Sequence, residues 1–563
     1  MIGVTVVDRR EFIGMTGAAG LALGCTALGA PRAQGGRPPN VVFVLTDDQG
    51  YGDLGCHGND RIITPHLDGL RAQGADFTRF YACPVCAPTR ASLMTGRYNY
   101  RTGAIDTYLG RAMMHPDEVT IAEMLRRAGY RTGIFGKWHL GDNHPMRPYE
   151  QGFEEALVHK GGGIGQPADP PGTSYFDPIL DHNGEEVRRQ GYCTDIFTDA
   201  CLDFARECGD DPFFAYLSTN APHTPIEVAD RYIEPYLEMG WDEENAGVLA
   251  MITNIDENMG RLMAGLDRLG LTDNTLLVFM GDNGPQQDRY RCGLRGLKGT
   301  VYEGGIRVPF LARWPGYIEP GMATDEPLAH IDIAPTLLEL ADAAPPEEVR
   351  IDGTSFAPLL RGEDFRAPDR TLYLQWHRGD EPVPYRSCAA VGDRYKLVNG
   401  DELYDLVKDV GETTNIAGEH PEIVAEMRSG YEEWLADVSS TRGYDPPRIY
   451  LNTPHENPVT LTRQDWRGPT ASWGPQGLGY WEVDVRARGP VDVTLRFAEL
   501  DEPAIAHFRL GDVEREAPIG PGSASHTFAG LDLPTGPGRL EAWLTRRGEE
   551  WGVHYVDVLW SGA

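Results

Sequence analysis

Four short apolar runs, each followed directly by polar residues, constrain the fold of this chain most. The runs are rich in aromatic and β-branched residues, as in strands buried on both faces, and helical patterns separate them. They cover residues 39–46, 130–135, 212–218 and 274–280. This alternation predicts an α/β fold with a large, mixed but mostly parallel sheet flanked by helices. Because ligands bind beyond the carboxyl ends of parallel strands, the polar residues that follow the runs are the candidate site.

Acidic and amide side chains follow the first and the last run. Asp47 and Asp48 come after the first, and Asp282 and Asn283 come after the last. A single aspartate in such a position is often a turn or capping residue. Together, these residues offer four hard oxygen ligands from two strand ends, which suits Ca²⁺ or Mg²⁺. Ca²⁺ is favoured because it tolerates more and looser ligands.

Basic residues and histidines follow the other two runs and a later glycine-rich segment. Lys137 and His139, at i and i+2, project to the same side of an extended segment and pair a fixed charge with a group that titrates near neutrality. The alternative is a solvated lysine beside a structural histidine. His223 follows the third run. Lys298 lies in the basic, glycine-rich segment 293–309, which suits anion binding and close approach of the backbone.

Cys83 and Cys86 form a C-x-x-C pair that has two alternative roles. Such a pair is typical of thiol–disulfide chemistry or of half a zinc site, but the sequence has no second pair or Cys/His cluster to complete a zinc site. Pro88 predicts the first turn of a helix and places Cys86 just before its N-terminus. That position favours anions and lowers thiol pKa values. It therefore fits a reactive thiolate and a sulfated intermediate equally well.

Cys86 also begins the pattern C-x-P-[ST]-R, which ends at Arg90. With the other motifs in chain order, the chain resembles the sulfatases, which are formylglycine-dependent, arylsulfatase-like enzymes of the alkaline-phosphatase-like superfamily, over about residues 37–440. Thr89 replaces the serine of many members, a change that the family pattern admits. The matching blocks are the acidic pair Asp47-Asp48, the pattern from Cys86 to Arg90 with its extension Thr95-Gly96-Arg97, G-K-W-H-x-G with Lys137 and His139, P-H-x-P with His223, D-N-G with Asp282 and Asn283, and R-G-x-K-G with Lys298.

The resemblance implies a sulfuric ester hydrolase in which a formylglycine-generating enzyme oxidises Cys86 to 3-oxoalanine (formylglycine). The hydrate of this aldehyde would attack sulfur and displace an alcohol, after which sulfate leaves and the aldehyde is restored. The implied metal ligands, with Ca²⁺ rather than Mg²⁺ as the ion, are Asp47, Asp48, Cys86, Asp282 and Asn283. The implied catalytic residues are Cys86, Arg90, Lys137, His139, His223 and Lys298.

The resemblance also implies a role for each catalytic side chain. Arg90 and Lys137 would stabilise the formylglycine and the developing anion. His139 would abstract the proton whose loss releases sulfate. His223 and Lys298 would hold the sulfate oxygens and protonate the leaving alcohol.

Two other functions are compatible with these motifs. A phosphonate or phosphate ester hydrolase could use the same site, and a non-catalytic sulfoglycan-binding protein could retain its residues. Sulfated carbohydrate is the favoured substrate because of the additional C-terminal β-rich region, with aryl sulfates as the alternative. The glycine- and proline-rich segment 159–191 is expected to lie over the site and to set this choice.

Composition and periodicity predict further domains after the α/β domain, which we place at residues 37–365. Short alternating runs and a final helix predict a small antiparallel subdomain at 366–440. Residues 441–454 form a predicted linker. Residues 455–563 have the short strands and turns of a β-sandwich and hold six of the eleven tryptophans. These tryptophans either stack on sugar rings or pack in the core and the domain interface.

The N-terminus predicts export. Arg9-Arg10 and an apolar run at about 15–28 resemble a Tat signal, so we assign residues 1–34 to a Tat-type signal segment that engages the Tat machinery. An ordinary amphipathic helix is the alternative. We expect a periplasmic or extracellular protein, and a lipoprotein anchor at Cys25 is disfavoured because the surrounding box is out of register. No later run is long enough to span a bilayer.

The formal net charge of −33 argues against nucleic acid as a partner, since phosphate binding needs a basic surface. The simplest explanation of the acidity is a solvated surface. A site for a sulfated substrate must therefore be a local basic pocket within a negative field.

Overall fold

The four apolar runs are the central strands of a ten-stranded sheet in the computed structural model, which describes residues 37–562. The predicted signal segment 1–34 lies outside the described residues. Up to residue 440, the strands are β1 (Asn40–Thr46), β2 (Ala75–Phe77), β3 (Phe80–Tyr81), β4 (Arg131–Lys137), β5 (Glu155–His159), β6 (Ile179–His182), β7 (Glu185–Arg188), β8 (Phe213–Ser218), β9 (Thr275–Gly281), β10 (Arg307–Val308), β11 (Phe310–Arg313), β12 (Met322–Thr324), β13 (Leu328–Ala329), β14 (Leu372–Gln375), β15 (Cys388–Val391), β16 (Tyr395–Val398) and β17 (Glu402–Asp405).

The sheet has a parallel centre and antiparallel neighbours. Its strand order is β12-β2-β11-β9-β1-β8-β4-β5-β6-β7. The strands from β9 to β5 in this order are parallel, while β11, β6 and β7 pair antiparallel. The prediction of an α/β fold with a large mixed sheet is confirmed. Since the central strands point the same way, the residues that follow β1, β4, β8 and β9 lie along one edge.

Helices cover both faces of this sheet, which explains why its central strands are apolar throughout. In β1, Val42 and Val44 pack in a cluster with the helices at 193–208 and 243–268, whereas Val41, Phe43 and Leu45 pack in a cluster with the helices at 86–95, 121–127 and 333–340. The α-helices are α1 (Pro65–Gln73), α2 (Cys86–Thr95), α3 (Asn99–Thr102), α4 (Ile121–Arg127), α5 (Cys193–Cys208), α6 (Asp230–Glu238), α7 (Glu243–Arg268), α8 (Glu303–Ile306), α9 (Ile333–Leu340), α10 (Ala357–Leu360) and α11 (Pro421–Ser440), with short 3₁₀ turns at Gly55–His57, Pro148–Glu150, Thr272–Asn274 and His330–Asp332.

Two small sheets complete this part of the chain. Strands β10, β3 and β13 form one, in that order. The other is the antiparallel sheet β14-β15-β16-β17, which shares an apolar cluster with Tyr431 and Trp434 of α11. A small antiparallel sheet with a final helix is the arrangement predicted for residues 366–440.

The C-terminal part is a β-sandwich, as the sequence predicts. One sheet has the order β18-β20-β25-β22-β23, with β26 paired to β25, and the other has the order β19-β27-β21-β24. Leu540 and Phe508 of the first sheet share a core with Val493 and Val556 of the second. The strands are β18 (Ile449–Leu451), β19 (Val459–Thr462), β20 (Tyr480–Val485), β21 (Pro490–Arg496), β22 (Ala504–Leu510), β23 (Val513–Ile519), β24 (Ser525–Asp532), β25 (Gly536–Arg546), β26 (Glu549–Gly552) and β27 (Tyr555–Trp560).

The sandwich is docked firmly on the α/β domain. Leu109, Met113 and Met146 of that domain belong to the apolar core of the sandwich. Glu456 accepts hydrogen bonds from Asn143 Nδ2 at 3.0 Å and from the His144 backbone N–H at 2.7 Å. Neither side of the interface is therefore a free surface.

The exact domain boundaries stay predictions. Segment 441–454 was predicted to be a linker, but it contains strand β18. Ile449 and Leu451 of this strand are buried in the sandwich core, so this part of the segment belongs to the sandwich. Segment 159–191, which is expected to lie over the site, also contains β6 and β7, and these strands extend the central sheet. No helix within residues 37–562 combines the length and apolar character needed to cross a bilayer.

Candidate active site

The acidic residues after β1 and β9 meet because these strands are parallel neighbours in register, with Thr46 opposite Gly281. The Asp48 backbone N–H donates to Asp282 Oδ1 at 3.1 Å. Asn283 Nδ2 donates to Asp48 Oδ1 at 2.8 Å. All of these side chains are buried. The structure thus brings the residues proposed as metal ligands into one cluster.

This cluster has the geometry and chemistry to hold a cation. Potential ligand atoms of Asp47, Cys86 and Asp282 lie within 4.8 Å of one another, and so do those of Asp47, Asp48 and His223. Asp47 Oδ1 and Asn283 Oδ1 are buried and accept no hydrogen bond from any described residue. A buried oxygen without a partner is costly, so these atoms fit a hard cation such as Ca²⁺ or Mg²⁺.

Each carboxylate also has a cationic neighbour. Lys137 Nζ lies 2.5 Å from Asp47 Oδ2, and Lys298 Nζ lies 2.7 Å from Asp48 Oδ1. Arg90 Nη2 lies 2.8 Å from Asp282 Oδ2. Burial alone would raise the pKa of Asp48, but the Lys298 charge, the nearby His223 ring and the hydrogen bonds from Lys298 and Asn283 together outweigh burial and hold this pKa well below its usual range. At Asp282, burial and the Asp47 charge raise the pKa to about 6.

Arg90 connects the ends of three strands. Its Nε and Nη2 groups donate to Asp282, and Nη1 donates to the Lys137 carbonyl at 3.2 Å and to Ser218 Oγ at 2.5 Å. The side chain is completely buried. Its fixed bonds make Arg90 an organiser of the site, and burial with so many partners leaves it little freedom to move.

Cys86 is the first residue of α2, and no side chain caps this helix N-terminus. Burial raises the pKa of its thiol to about 11, although Lys137 and Lys298 oppose this shift. The lowering expected from the helix N-terminus is therefore outweighed by the loss of solvent. An unmodified Cys86 is a thiol at neutral pH, a weak nucleophile.

Cys83 does not act with Cys86 in this structure. Its sulfur lies 3.3 Å from Nε2 of His330, in a separate apolar cluster. All eight cysteines that the structure describes are free. The geometry gives no support to the thiol–disulfide interpretation, and it shows Cys83 and His330 as packing residues.

One ring nitrogen of His139 has no hydrogen-bond partner among the described residues. Its Nε2 lies 2.7 Å from the carbonyl oxygen of Thr107, and since a carbonyl only accepts, Nε2 carries the proton. Nδ1 is then a lone-pair acceptor, and it is buried without a partner among residues 37–562. Burial, with the Lys137 charge, holds the pKa of His139 well below its usual range. The ring is neutral and fit to accept a proton at Nδ1.

His223 has the opposite orientation. Its Nδ1 donates to the Thr224 carbonyl at 2.7 Å, which leaves Nε2 facing Asp48 Oδ2 at 3.9 Å. Burial, followed by the Lys298 charge, lowers the pKa of His223 to about 3. The ring therefore turns its free nitrogen toward the acidic cluster.

The glycine-rich segment 159–191 packs directly on the two histidines, as expected. A Cβ atom at Gly162 would lie 2.7 Å from His139 Nε2, and one at Gly163 would lie 3.0 Å from the His223 ring. These distances leave no room for a side chain. The glycines let the backbone of this segment close over the site.

The candidate residues surround a cavity of about 380 Å³, a size typical of sites for small ligands. Buried Cys86, His139 and His223 form its base together with half-buried Lys298. Its remaining walls come partly from residues that were not singled out in the sequence, namely Thr107, Tyr108, Gln166, Gln286, Trp376, Arg378 and Trp473. Trp473 was part of the tryptophan surplus noted in the C-terminal region, but nothing in the sequence placed it here.

The sequence also did not reveal the ion pair that fixes the backbone of Asp48. This residue has a left-handed backbone conformation, with φ of 67°. Arg289 Nη2 donates to the Asp48 carbonyl at 3.1 Å and to Asp53 Oδ2 at 2.6 Å. The Arg289–Asp53 pair is buried. These residues are far apart in the chain, so no local motif could have revealed the pair.

The geometry describes a basic pocket beside a cluster of buried carboxylates, as in a hydrolase of anionic esters. A family profile described as "Sulfatase" matches residues 39–343 of the chain. A second, described as "N-sulphoglucosamine sulphohydrolase, C-terminal", matches residues 297–437.

Curated relatives agree with these matches. Arylsulfatase A of Homo sapiens is 34% identical over 458 residues, which cover 70% of this chain and 87% of that protein. N-acetylgalactosamine-6-O-sulfatase of Bacteroides thetaiotaomicron is 30% identical over 486 residues, which cover 70% of this chain and 92% of that protein. The chain belongs to the sulfatase family, and it is a sulfatase.

Solved structures share the fold. The crystal structure of Ps i-CgsB in complex with k-i-k-neocarrahexaose has a TM-score of 0.64 and 29% identity, covering 71% of this chain and 93% of the other. The phosphonate monoester hydrolase SpPMH from Silicibacter pomeroyi has a TM-score of 0.54 and 23% identity, covering 70% and 95%. At that identity the second likeness shows a common fold only.

Proposed function

We propose that this sulfatase removes sulfate from a sulfated carbohydrate, with Cys86 converted to formylglycine and with Ca²⁺ as its metal ion. The observation that carries the proposal is the position of Cys86. It lies at the base of the pocket, at an uncapped helix N-terminus, between two lysines and a cluster of buried carboxylates. This environment stabilises negative charge on bound sulfate.

The residues present fit both groups that the proposal requires. Asp47, Asp48, Asp282 and Asn283, together with residue 86, would hold the cation. Bound there, a divalent cation would supply positive charge that favours an ionised oxygen nucleophile. A hydrated aldehyde at position 86 would supply that oxygen in place of the weakly acidic thiol.

His139 is the proposed base. The Thr107 carbonyl fixes its tautomer, so Nδ1 is the atom that accepts a proton. The Gly162 backbone packs against the ring and prevents it from turning away. We assign to His139 the removal of the hydroxyl proton whose loss releases sulfate.

Lys137 and Lys298 are the proposed anion-binding side chains, and buried Arg90 organises the groups around them. Lys137 and Lys298 share their carboxylate partners with the metal site, so their N–H groups become available to sulfate oxygens when those carboxylates bind a cation. Arg90 holds Asp282 and the Lys137 backbone in place. The leaving alcohol would take its proton from Lys298 Nζ, while His223 Nε2, which is unprotonated in the neutral ring, could donate only after it has itself gained a proton.

A screen of esters tests this function. We expect sulfate release from sulfated mono- and oligosaccharides at a kcat/KM at least about tenfold above that for 4-nitrophenyl sulfate, because extra sugar contacts add transition-state binding. Phosphate and phosphonate monoesters should react more slowly still. Faster phosphonate cleavage would favour the alternative esterase function, and binding without turnover of any ester would favour a sulfoglycan-binding protein.

Chelation tests the metal site. Exhaustive treatment with EDTA is expected to remove most activity and to lower the melting temperature, since a ligand that binds only the folded state stabilises it. Ca²⁺ should restore both, and Mg²⁺ should restore less. Full activity in enzyme shown by elemental analysis to hold no divalent metal would contradict the assignment.

The proposals on maturation and export rest on the sequence. A formylglycine-generating enzyme would modify Cys86, and the segment 1–34 would direct the chain through the Tat machinery to the periplasm or the exterior. A local basic pocket within a strongly acidic protein agrees with the expectation that nucleic acid is not its partner.

A further inference from the structure

The outer part of the pocket is built from three distant segments of the chain. Tyr108 comes from the α/β domain, Trp376 and Arg378 follow β14, and Trp473 comes from the β-sandwich. Trp473 lies outside both regions that the family profiles match, 39–343 and 297–437. The sandwich therefore contributes a wall of the catalytic pocket that the family match does not cover.

The loop that carries Trp473 is rigidly attached to the sandwich. This loop, residues 463–479, connects β19 to β20. Buried Arg463 donates through Nη1 to the carbonyls of Trp473 at 3.0 Å and Gly474 at 2.6 Å, and through Nε to the Val553 carbonyl at 2.9 Å. These bonds fix the backbone from which the indole projects.

The aromatic rings around the pocket mouth hold one another in position. The Trp473 and Tyr108 rings pack edge to face, with centroids 5.5 Å apart. The Arg378 guanidinium lies 4.4 Å from the Tyr108 centroid and 5.2 Å from that of Trp376. Trp376 Nε1 and Arg378 Nη1 both donate to buried Asp106, at 2.9 and 3.3 Å. The rings need no reorganisation to receive a ligand.

These groups remain accessible. Trp473 is 37% exposed, and the Arg378 side chain is 53% exposed, although one of its nitrogens is bonded to Asp106. Flat aromatic surfaces take up the apolar face of a ring, and a guanidinium with free N–H groups binds carboxylate or sulfate in a bidentate manner. The combination suits a ring that carries an acidic substituent.

We propose that Trp473, Trp376 and Arg378 form a second subsite, which binds the sugar unit next to the sulfated one and prefers a unit with its own sulfate or carboxylate group. This inference rests on the proposed function and names its substrate as an anionic oligosaccharide. The sulfate ester to be cleaved lies at the base of the pocket beside residue 86, and the neighbouring sugar lies against the indole of the sandwich.

The other tryptophans of the sandwich do not offer an equivalent site at this pocket. Trp466 and Trp481 are fully buried in the core. Trp543 stacks on His507 at 4.8 Å and lines a separate hollow with Tyr480 and Glu541. Trp543 is therefore a matched control, since it is an accessible indole of the same domain away from the pocket.

Point substitution tests the subsite better than removal of the sandwich, which would expose Leu109, Met113 and Met146. Trp473→Ala is expected to lower kcat/KM for a sulfated tetrasaccharide by about ten- to hundred-fold, the usual effect of losing an aromatic anchor. The value for the matching sulfated monosaccharide should stay within about twofold. Trp473→Phe should retain much of the activity on the tetrasaccharide. Trp543→Ala should have the same kcat/KM as the parent enzyme. Arg378→Gln should lower kcat/KM only for oligosaccharides that carry a second acidic group.

Binding provides a readout that does not depend on turnover. In a Cys86→Ala background, calorimetry should show weaker tetrasaccharide binding when Trp473 is also replaced. Equal kinetics of the parent and Trp473→Ala on every oligosaccharide would overturn the subsite while leaving the proposed function intact. Loss of activity in Trp543→Ala instead would show a separate sugar-binding surface and also overturn it. Absence of sulfate release by the parent enzyme from all esters would refute the proposed function itself.

Discussion

Replacing Cys86 with alanine is expected to abolish sulfate release, with a fall in kcat of at least about 10³-fold, because no other side chain at the pocket base can supply the nucleophile. The methyl group fits the space of the thiol, so the melting temperature should change little. Mass spectrometry of the peptide spanning residues 83–90 gives the matching measurement. The parent enzyme should show the mass deficit of a thiol that has become an aldehyde.

Cys83→Ala is the control for this substitution. Both sulfurs are buried and only three positions apart, but Cys83 faces His330 in a different cluster. The Cys83 variant should keep its activity and lose only a small amount of stability, as expected for a modest core truncation. An intact thiol at Cys86 in active enzyme, or appreciable turnover by Cys86→Ala, would refute the proposed nucleophile.

Asp282→Asn is expected to be the most damaging substitution in the acidic cluster. It leaves the Arg90 guanidinium completely buried without its charged partner, and loss of one member of such a pair costs roughly 3–5 kcal/mol of unfolding free energy. It also removes a ligand atom from the proposed metal site. We expect kcat to fall by at least about 10²-fold, with no recovery at high Ca²⁺.

Asp332→Asn separates loss of stability from loss of catalysis. Asp332 is equally buried, pairs with Arg370, and accepts hydrogen bonds from the backbone N–H groups of Ala329 and Thr354, but it does not line the pocket. Urea unfolding should show destabilisation of similar size in the two variants. Activity per folded molecule should fall only in Asp282→Asn, and a similar fall in both would mean that Asp282 serves stability alone.

Most of the α/β core and the base of the pocket could be predicted because their signals are local. Each central strand is an apolar run, and Asp47, Asp48, Lys137, His139, His223, Asp282 and Asn283 lie at the end of such a strand or within a few residues of it. Parallel pairing then aligns the strand ends, so Asp48 and Asp282 meet without any further information. The roles of these residues in catalysis and metal binding remain proposals.

Burial could not be predicted from the same motifs. The sequence placed Cys86 at a helix N-terminus, where a lower thiol pKa is expected. The structure buries that thiol completely and raises its pKa, because desolvation exceeds the effect of the nearby charges. Likewise, the sequence predicts that Ile449 and Leu451 belong to a linker, whereas the structure buries both in the sandwich core.

The fold class and the identity of the groups at the base of the site follow from the amino-acid sequence alone, because strand periodicity and short motifs depend on neighbouring residues. The surroundings of these groups depend on how distant parts of the chain pack. The indole of Trp473 reaches the pocket because the sandwich docks through Met113 and Met146, and Asp48 is held by Arg289 from a distant loop. Contacts between residues hundreds of positions apart depend on domain packing, for which no local pattern exists.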